Sequence, residues 1–372
     1  MQNKLDYHSQ KDEIAKISIP HTIGSLLVFI FVPCIMLFLL RYGFIVLRDS
    51  DAPRFITTIS AIIWGVGGVG VLYAVTNWAL SFLPLKIRDK VEPFVFVGPA
   101  VIIITWFLLL PALRSFYLSF FSKWANDFSG IENYIYVFTN RTMIQAFWNN
   151  LLWLVFGTGI TVVLGLTIAL LADRSSLEKT LKSFIFLPMA ISMIGAAIIW
   201  KFVYTISPDS SQQIGLLNAI VVACGGDTVN WLIMRPWNTF FLIIVFVWMQ
   251  TGFAMVILSA AIKAVPDQLL AAARIDGANE MTIIFKIIIP YIKRSLITVS
   301  TTVLIATLKT FDIVFTMTQG LDGTEVLASQ QYKQMFKFFH YGRGSAIAII
   351  IFLAVVPAIV YNLKHSTIWK EK

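Results

Sequence analysis

The sequence predicts an all-α membrane protein with about eight transmembrane helices. Of its 372 residues, 58% are hydrophobic and only 13% are charged, whereas about a quarter of the residues in a soluble domain are charged. The apolar residues occur in long runs, each exceeding the roughly 20 residues that a helix needs to cross the hydrocarbon core. Polar segments separate these runs, so the chain is expected to cross a membrane repeatedly.

Eight apolar runs mark the expected spans. The second run contains four closely spaced glycines between Gly65 and Gly70, and small residues of this kind let two helices pack closely in a membrane. The runs lie at about 22–46, 55–83, 94–120, 148–172, 183–206, 237–262, 295–317 and 343–363.

A short charged link, PLKIRDKVEP at 84–93, is bounded by prolines and separates the first two spans from the rest. We therefore expect two parts. Residues 1–93 would contain a polar N-terminal tail and two accessory helices. Residues 94–372 would form a six-helix core that includes a folded loop at 263–290.

Basic residues predict the orientation, because the loops on the cytoplasmic side of a membrane protein carry an excess of them. The loop between the sixth and seventh spans contains Lys263, Arg274 and Lys286, and the net charge of the chain is +9. This loop and both termini are therefore expected in the cytoplasm. A positive charge distributed in this way does not indicate nucleic-acid binding.

No catalytic or metal-binding motif is present in the sequence. There is no G-x(4)-G-K-[ST] phosphate loop and no H-E-x-x-H, and the four histidines are scattered. The two cysteines, Cys34 and Cys224, provide neither a metal-binding set nor a disulfide framework. We expect no enzymatic activity, no metal site and no cofactor in this chain.

The loop between the sixth and seventh spans is expected to fold into two short helices. Pro266 suits a first turn, and Asp267 places a carboxylate at the positive end of that helix. Small residues from Ala271 to Ala273 would let the helix approach another surface closely. Gly277 provides a turn, and Pro290 marks the return to the membrane. These residues alone leave two alternatives open, docking into a cleft or lying on lipid headgroups.

The same loop resembles the EAA signature of ABC-importer permeases, E-A-A-x(3)-G-x(9)-I-x-L-P. Ala272-Ala273, Gly277, Ile287 and Ile289-Pro290 match its spacing, with isoleucine in place of leucine at 289. Ala271 stands where the family usually has glutamate. The resemblance implies that the loop couples the permease to an ATP-hydrolysing subunit. The coupling residues would be Ala271, Ala272, Ala273, Asp276, Gly277 and Pro290.

Further phrases between about 94 and 363 resemble sugar-permease subunits, among them VGPAVIIITWFLLLPALRSFYLSFFSKW, GIENYIYVF and FLP. The layout is similar to the larger maltose-type permeases, and 248–266 is similar to the alpha-glucoside subgroup. The resemblance implies the ABC type I importer permease fold and half of a sugar pathway in a bacterial inner membrane. Implied partners are a second permease subunit, two ATP-binding subunits that hold ATP and Mg, and an extracytoplasmic sugar-binding protein.

A sugar pathway needs hydrogen-bonding groups and aromatic faces, and polar groups inside a membrane are costly unless they face a cavity. In the sixth span, Gln250, Thr251 and Phe253 interrupt an aliphatic run, and the seventh contains Thr307 and Thr310. The resemblance places these five residues on the substrate pathway. The alternative is that they pack or hydrogen-bond within the helix bundle.

Lys309 and Asp312 lie three residues apart in the seventh span and can share a helix face. A lysine at the centre of a span costs about 2.5–3.5 kcal/mol on insertion scales, so we predict a structural ion pair between them. Outside the ABC class, the pair would suit the ion-coupling site of a secondary transporter. An importer for another polyol or glycoside is the alternative within the class.

Overall fold

The computed structural model describes residues 19–173, 175–207 and 213–365. Within these ranges the chain is helical, and the only pairing of extended backbone is an isolated bridge between Phe121 and Phe128. The predicted all-α class is confirmed. Most of the predicted N-terminal tail lies outside the described residues.

Seven described helices are long and apolar enough to cross a membrane. The expected fifth span is instead a helix pair, Glu178–Ala190 and Met193–Val203, whose two parts bend by 100°. The count becomes eight if this pair is taken as one span. The seven helices are Gly24–Arg48, Arg54–Leu80, Ile87–Leu118, Arg141–Ala172, Asn238–Lys263, Lys293–Met317 and Tyr341–Lys364.

The chain divides into two compact units at Pro111, inside the third span and not at residue 93. The predicted link at 84–93 is helical for most of its length, because Pro84 precedes a helix that begins at Leu85. A proline at a helix start favours the helix, so this charged segment forms first turns and not a linker. In the first unit the helices are α1 (Ile19–Arg48), α2 (Arg54–Leu80) and α3 (Leu85–Ile104).

Helices α1 and α2 pack closely, as the glycine cluster predicts. A Cβ atom added to Gly68 would lie 2.4 Å from Leu40 Cδ2, and one added to Gly43 would lie 2.4 Å from the Trp64 ring. The Trp64 indole also donates a hydrogen bond to the Leu40 carbonyl at 3.0 Å. Gly65, Gly67 and Gly70 face open space, so one of the four clustered glycines makes the contact.

The second unit, Ala112–Lys372, contains the remaining helices. π-Helical segments occur at Thr105–Leu109, Trp153–Gly157, Ile284–Ile288 and Lys333–Lys337. The helices are α4 (Leu110–Leu118), α5 (Glu132–Thr139), α6 (Arg141–Leu152), α7 (Thr158–Ala172), α8 (Glu178–Phe186), α9 (Met193–Val203), α10 (Leu216–Ala223), α11 (Asn238–Lys263), α12 (Asp267–Ile275), α13 (Glu280–Ile283), α14 (Ile289–Tyr291), α15 (Lys293–Leu308), α16 (Asp312–Met317), α17 (Leu327–Tyr332) and α18 (Tyr341–His365).

Helix α11 is the centre of the second unit. In the most apolar 18-residue stretch of this helix, 61% of the residues are buried, against 17% in the corresponding stretch of the span Tyr341–Lys364. Transmembrane helices associate through close packing more than through the hydrophobic effect, because the surrounding lipid tails are as apolar as the helices. Gly165 of α7 provides such packing, since an added Cβ would lie 2.6 Å from Ala254 Cβ of α11.

Candidate functional site

The 263–290 loop folds as predicted into helices joined by a turn. Helix α12 follows Pro266, with Asp267 in its first turn and Arg274 in its last. Both charges complement the helix dipole. The two helices are fastened together at their ends by a salt bridge of 3.0 Å between Arg274 and Glu280.

Gly277 makes the turn. Its φ is +81°, and its N–H donates to the Arg274 carbonyl at 3.1 Å while the Ala278 N–H donates to the Ala273 carbonyl at 3.0 Å. These two bonds form a Schellman motif, whose left-handed residue is usually glycine. No atom lies within 4 Å of an added Cβ, so the backbone conformation requires glycine and the available space does not.

Asn279 begins the second helix. Its side chain accepts a hydrogen bond from the Thr282 N–H at 2.8 Å, which caps α13. Asparagine is among the best residues at this position. The chain then continues as a helix through Pro290, which is exposed, and reaches the seventh span.

The outward face of α12 exposes alanine and isoleucine side chains beside the polar Asp267, Gln268 and Arg274. Ala271, Ala272, Asp276 and Gly277 are exposed, and the Ile275 side chain is 86% exposed. The opposite face, with Leu270 and Ala273, packs against the buried core. Five of the six predicted coupling residues therefore lie exposed on this loop, and Ala273 faces inward.

The predicted pathway residues of the sixth span have different environments. Thr251 is buried, and its hydroxyl donates to the Val247 carbonyl at 2.6 Å. Phe253 packs against the buried core. Gln250 is half-buried, and its amide makes no hydrogen bond within the described residues. Of the three, Gln250 has the polar group that is free to meet a ligand.

The predicted pathway residues of the seventh span are buried. The Thr307 hydroxyl donates to the Leu304 carbonyl at 2.7 Å and lies 3.3 Å from the Thr158 hydroxyl. The Thr310 hydroxyl lies 3.4 Å from the Ala306 carbonyl, which accepts its hydrogen bond. Bonding within the bundle, the alternative stated above, describes both threonines in this structure.

The predicted ion pair between Lys309 and Asp312 is not formed. Helix α15 ends at Leu308 and α16 begins at Asp312, so the two residues do not share one helix face. Neither side chain takes part in a salt bridge within the described part of the chain, and Lys309 is exposed. The physical reason is the helix break. Two residues three apart meet on one face only when the helix between them is continuous.

The sequence analysis missed the close contact at Gly252. A Cβ added there would lie 2.6 Å from the Ile185 carbonyl oxygen and 2.8 Å from Phe186 Cα. This contact joins α11 to the end of α8, at the level of Gln250 and Phe253 along α11. A glycine inside an aliphatic span was the available signal for such a contact.

The segment 318–327 is fastened by buried amides, which the sequence analysis also missed. The Asn149 side chain donates to the Gly323 and Glu325 carbonyls, each at 2.7 Å. The Asn150 side chain accepts from the Leu327 N–H at 2.8 Å. The adjacent asparagines at the end of α6 therefore hold a segment more than 170 residues away in sequence.

Comparison with known proteins identifies the family. Residues 135–365 match the family described as "Binding-protein-dependent transport system inner membrane component". The chain is 52% identical over 270 residues to the osmoprotective compounds uptake permease protein GgtC of Synechocystis sp., covering 73% of this chain and 97% of that protein. It is 41% identical over 326 residues to the alpha-glucoside transport system permease protein AglF of Rhizobium meliloti, covering 83% and 97%.

The fold is shared with a solved importer. A chain in the crystal structure of a bacterial ABC transporter involved in the import of the acidic polysaccharide alginate superposes with a TM-score of 0.63, at 20% identity. The match covers 75% of this chain and 99% of that chain. The predicted ABC importer permease fold is confirmed. The protein is a permease and not an enzyme, and it belongs to the family of inner-membrane components of binding-protein-dependent transport systems.

Proposed function

We propose that this chain forms half of the membrane pathway of an ATP-driven importer for a sugar, a disaccharide or short oligosaccharide such as an alpha-glucoside. The observation that carries the substrate class is the 41% identity to an alpha-glucoside permease over 83% of this chain. The other half would come from a second permease subunit, and an extracytoplasmic binding protein would deliver the sugar. The chain would lie in the bacterial inner membrane with both termini in the cytoplasm.

The 263–290 loop would couple this pathway to ATP hydrolysis. One of the two ATP-binding subunits, which hold ATP and Mg, would bind the exposed face of α12 at Ala271, Ala272 and Ile275. A folded loop with capped helices transmits a displacement as a rigid element. Because alanine stands at 271 in place of the family's glutamate, this contact lacks one charge. The shape and the apolar area of the exposed face would then bind the ATP-binding subunit.

Gln250, Thr251 and Phe253 of α11, with Thr307 and Thr310 of α15 and the turn after it, would line the sugar pathway. The half-buried Gln250 amide and the Phe253 ring would provide the polar group and the apolar face that a sugar requires. During transport, the hydroxyls of Thr307 and Thr310 would release their hydrogen bonds to backbone carbonyls and form hydrogen bonds with sugar hydroxyls instead.

The test is uptake of labelled sugars by vesicles containing the reconstituted complex and its binding protein. We expect ATP-dependent uptake of an alpha-glucoside, abolished when the ATP-binding subunits are omitted. Sustained uptake without those subunits, driven by an ion gradient, would overturn the proposal and favour a secondary transporter.

A second candidate is an importer for another polyol or glycoside. The 52% identity to an osmoprotective compounds uptake permease favours it. The same vesicles distinguish the two candidates, because competition by unlabelled polyols and by unlabelled alpha-glucosides ranks their affinities directly.

A further inference from the structure

Five polar side chains meet where the sixth span leads into the 263–290 loop. They are contributed by the end of α7, the first turns of α8 and the last turns of α11. We call this group the root network, and its members are Asp173, Glu178, Lys182, Ser259 and Lys263.

Glu178 connects two of these elements. One of its carboxylate oxygens, Oε1, accepts from Lys182 Nζ of its own helix and from Lys263 Nζ of α11, both at 2.5 Å. Lys263 is the last residue of α11, three residues before the proline that precedes α12. The carboxylate of Glu178 therefore holds the attachment point of the loop.

Asp173 adds the third element. Its Oδ1 accepts from Ser259 Oγ of α11 at 2.8 Å and from Lys182 Nζ. The side chains of Asp173, Lys182 and Glu178 are 11%, 17% and 26% exposed, whereas that of Lys263 at the edge of the group is 53% exposed. A shielded group of several charges holds its geometry better than an isolated pair on the surface, whose contribution is small.

The other end of α8 is also fixed to α11. Gly252 receives the backbone of Ile185 and Phe186 so closely that a Cβ would not fit. Beyond this contact the chain forms a short turn at Leu187–Ala190 and bends by 100° into α9. Helix α8 is thus held against α11 by charges at one end and by backbone packing at the other.

Below α12 the packing is looser. A cavity of about 510 Å³ lies between α12 and the helix ends, and Leu170, Ile262 and Leu270 contribute to its lining. Helix α12 therefore borders this cavity beside the places where Leu270 and Ala273 pack against the buried core. A displacement of the loop reaches the sixth span directly through the chain at Lys263.

We infer that the root network makes α8 and α11 one rigid lever, with Glu178 as its positioning residue. A displacement of the loop at Lys263 is then delivered to the bend after α8, at the level of Gln250 and Phe253 along α11. This inference rests on the coupling role proposed above for the loop. It adds the residues that connect the loop to the pathway, which lie outside the EAA signature.

The first test is Glu178→Gln in the full complex. The amide keeps the shape of the side chain but loses the charge that holds both lysines. We expect ATP hydrolysis to continue while sugar imported per ATP falls about threefold or more. The matched control is Glu92→Gln, which breaks the exposed Arg88–Glu92 salt bridge of 3.5 Å and should change neither quantity.

The second test restores the connection covalently. In a variant with Cys34→Ser and Cys224→Ser, the pair Glu178→Cys and Lys263→Cys removes the ionic contact, and a short bifunctional thiol reagent then joins the two positions. We expect the unlinked pair to be uncoupled and the linked pair to regain uptake per ATP, because the two positions never separate during the cycle. Loss of uptake on linking, or no recovery, would overturn the inference.

The outcomes separate this inference from the proposed function. If uptake by the unmutated complex requires the ATP-binding subunits, and Glu178→Gln behaves like Glu92→Gln, the lever is wrong and the importer stands. If uptake by the unmutated complex does not require those subunits, the proposed coupling role of the loop is wrong, and the inference about the root network is wrong with it.

Discussion

Gly277 shows how a single residue fixes the shape of the 263–290 loop. Its φ of +81° costs a non-glycine residue roughly 1–2 kcal/mol. The surrounding space is open. The strain of a substitution would therefore fall on the turn and not on a neighbouring side chain.

Gly277→Ala should reduce both the stimulation of the ATP-binding subunits and sugar uptake, because the relaxed turn changes the angle of α12. Gly277→Asn should reduce them less, since asparagine tolerates this conformation. Gly159→Ala is the matched control: its Cβ also meets open space and its backbone is helical. Equal activities of Gly277→Ala and the control would contradict the coupling role of this turn.

Substitutions at the neighbouring residues Gln250 and Thr251 should differ in their effect on the apparent KM for the sugar. Gln250→Ala should raise the apparent KM for the sugar by about 2–10-fold, the equivalent of one lost neutral hydrogen bond. Thr251→Val should change it less than about twofold, because the Thr251 hydroxyl is buried and donates to the Val247 carbonyl. Labelled-sugar uptake at several concentrations measures both. A larger effect from Thr251→Val would show that the Thr251 hydroxyl itself, and not only the Gln250 amide, meets the sugar.

His340 provides a pH-dependent contact just before α18. Its Nδ1 accepts from the Arg343 N–H at 3.3 Å. Burial, together with the charges of Arg343 and Lys123, lowers the pKa of His340 to about 4. The unfolded chain binds the proton with an ordinary pKa of about 6.5. The stability that the neutral His340 contributes is therefore fully present above pH 6.5 and is lost as the pH falls from 6.5 towards 4.

His340→Asn removes the titrating group and keeps an acceptor at the helix start. Between pH 7 and pH 4.5, we expect the Tm of the purified wild type to fall more than that of the variant, by roughly 2–4 °C. At pH 8 the offset between the two proteins should no longer depend on pH. Parallel Tm curves across the whole range would show that His340 does not carry the effect.

At the scale of elements, local signals predicted the 263–290 loop well. Pro266, Asp267 and Gly277 each act within a few residues, and they set the start and end of α12 as expected. The breaks in the fifth and seventh spans were missed because hydropathy measures composition and not direction. Pro188 and Ser192 lie at the bend in the fifth span, and the Ser192 side chain caps α9 by accepting from the Gly195 N–H at 3.1 Å.

Contacts between distant elements could not be read from the sequence. Ser259 and Glu178 of the root network have no shared motif, and nothing in the order of residues pairs Asn149 with Gly323. Such contacts depend on how helices are placed in three dimensions. The proposal that these loop residues couple to ATP hydrolysis came from the family resemblance, whereas their exposure came from the structure.

The Asn149 side chain makes the attachment of the 318–327 segment to α6 testable. Asn149→Ala leaves the buried Glu325 carbonyl and the half-buried Gly323 carbonyl without this partner, which should cost about 1–3 kcal/mol. We expect a lower Tm and faster proteolysis within this segment. The exposed Asn126 serves as the control, since Asn126→Ala should leave both unchanged. A variant as stable as the control would show that other contacts hold the segment.

At the scale of the whole molecule, the two predicted accessory helices, α1 and α2, precede the residues that the family match covers. The family match begins at residue 135, whereas the first compact unit extends to Pro111. The alignment with the osmoprotective compounds permease covers 97% of that protein with only 270 residues. A permease of this family therefore exists with little beyond the part that it shares with this chain.

This comparison predicts that a chain beginning at Pro84, which lacks α1 and α2, still assembles and transports. Helix α3 keeps the proline that precedes it, so the third span should insert as before, while the contact of Gly68 with Leu40 is lost together with both of its helices. We expect ATP-dependent uptake within about threefold of the full chain, because no proposed coupling or pathway residue is removed. Co-purification with the second permease subunit, followed by uptake in vesicles, measures both properties. Failure to assemble would show that the first two spans are a structural requirement of this importer, and the core would then not be separable at Pro84.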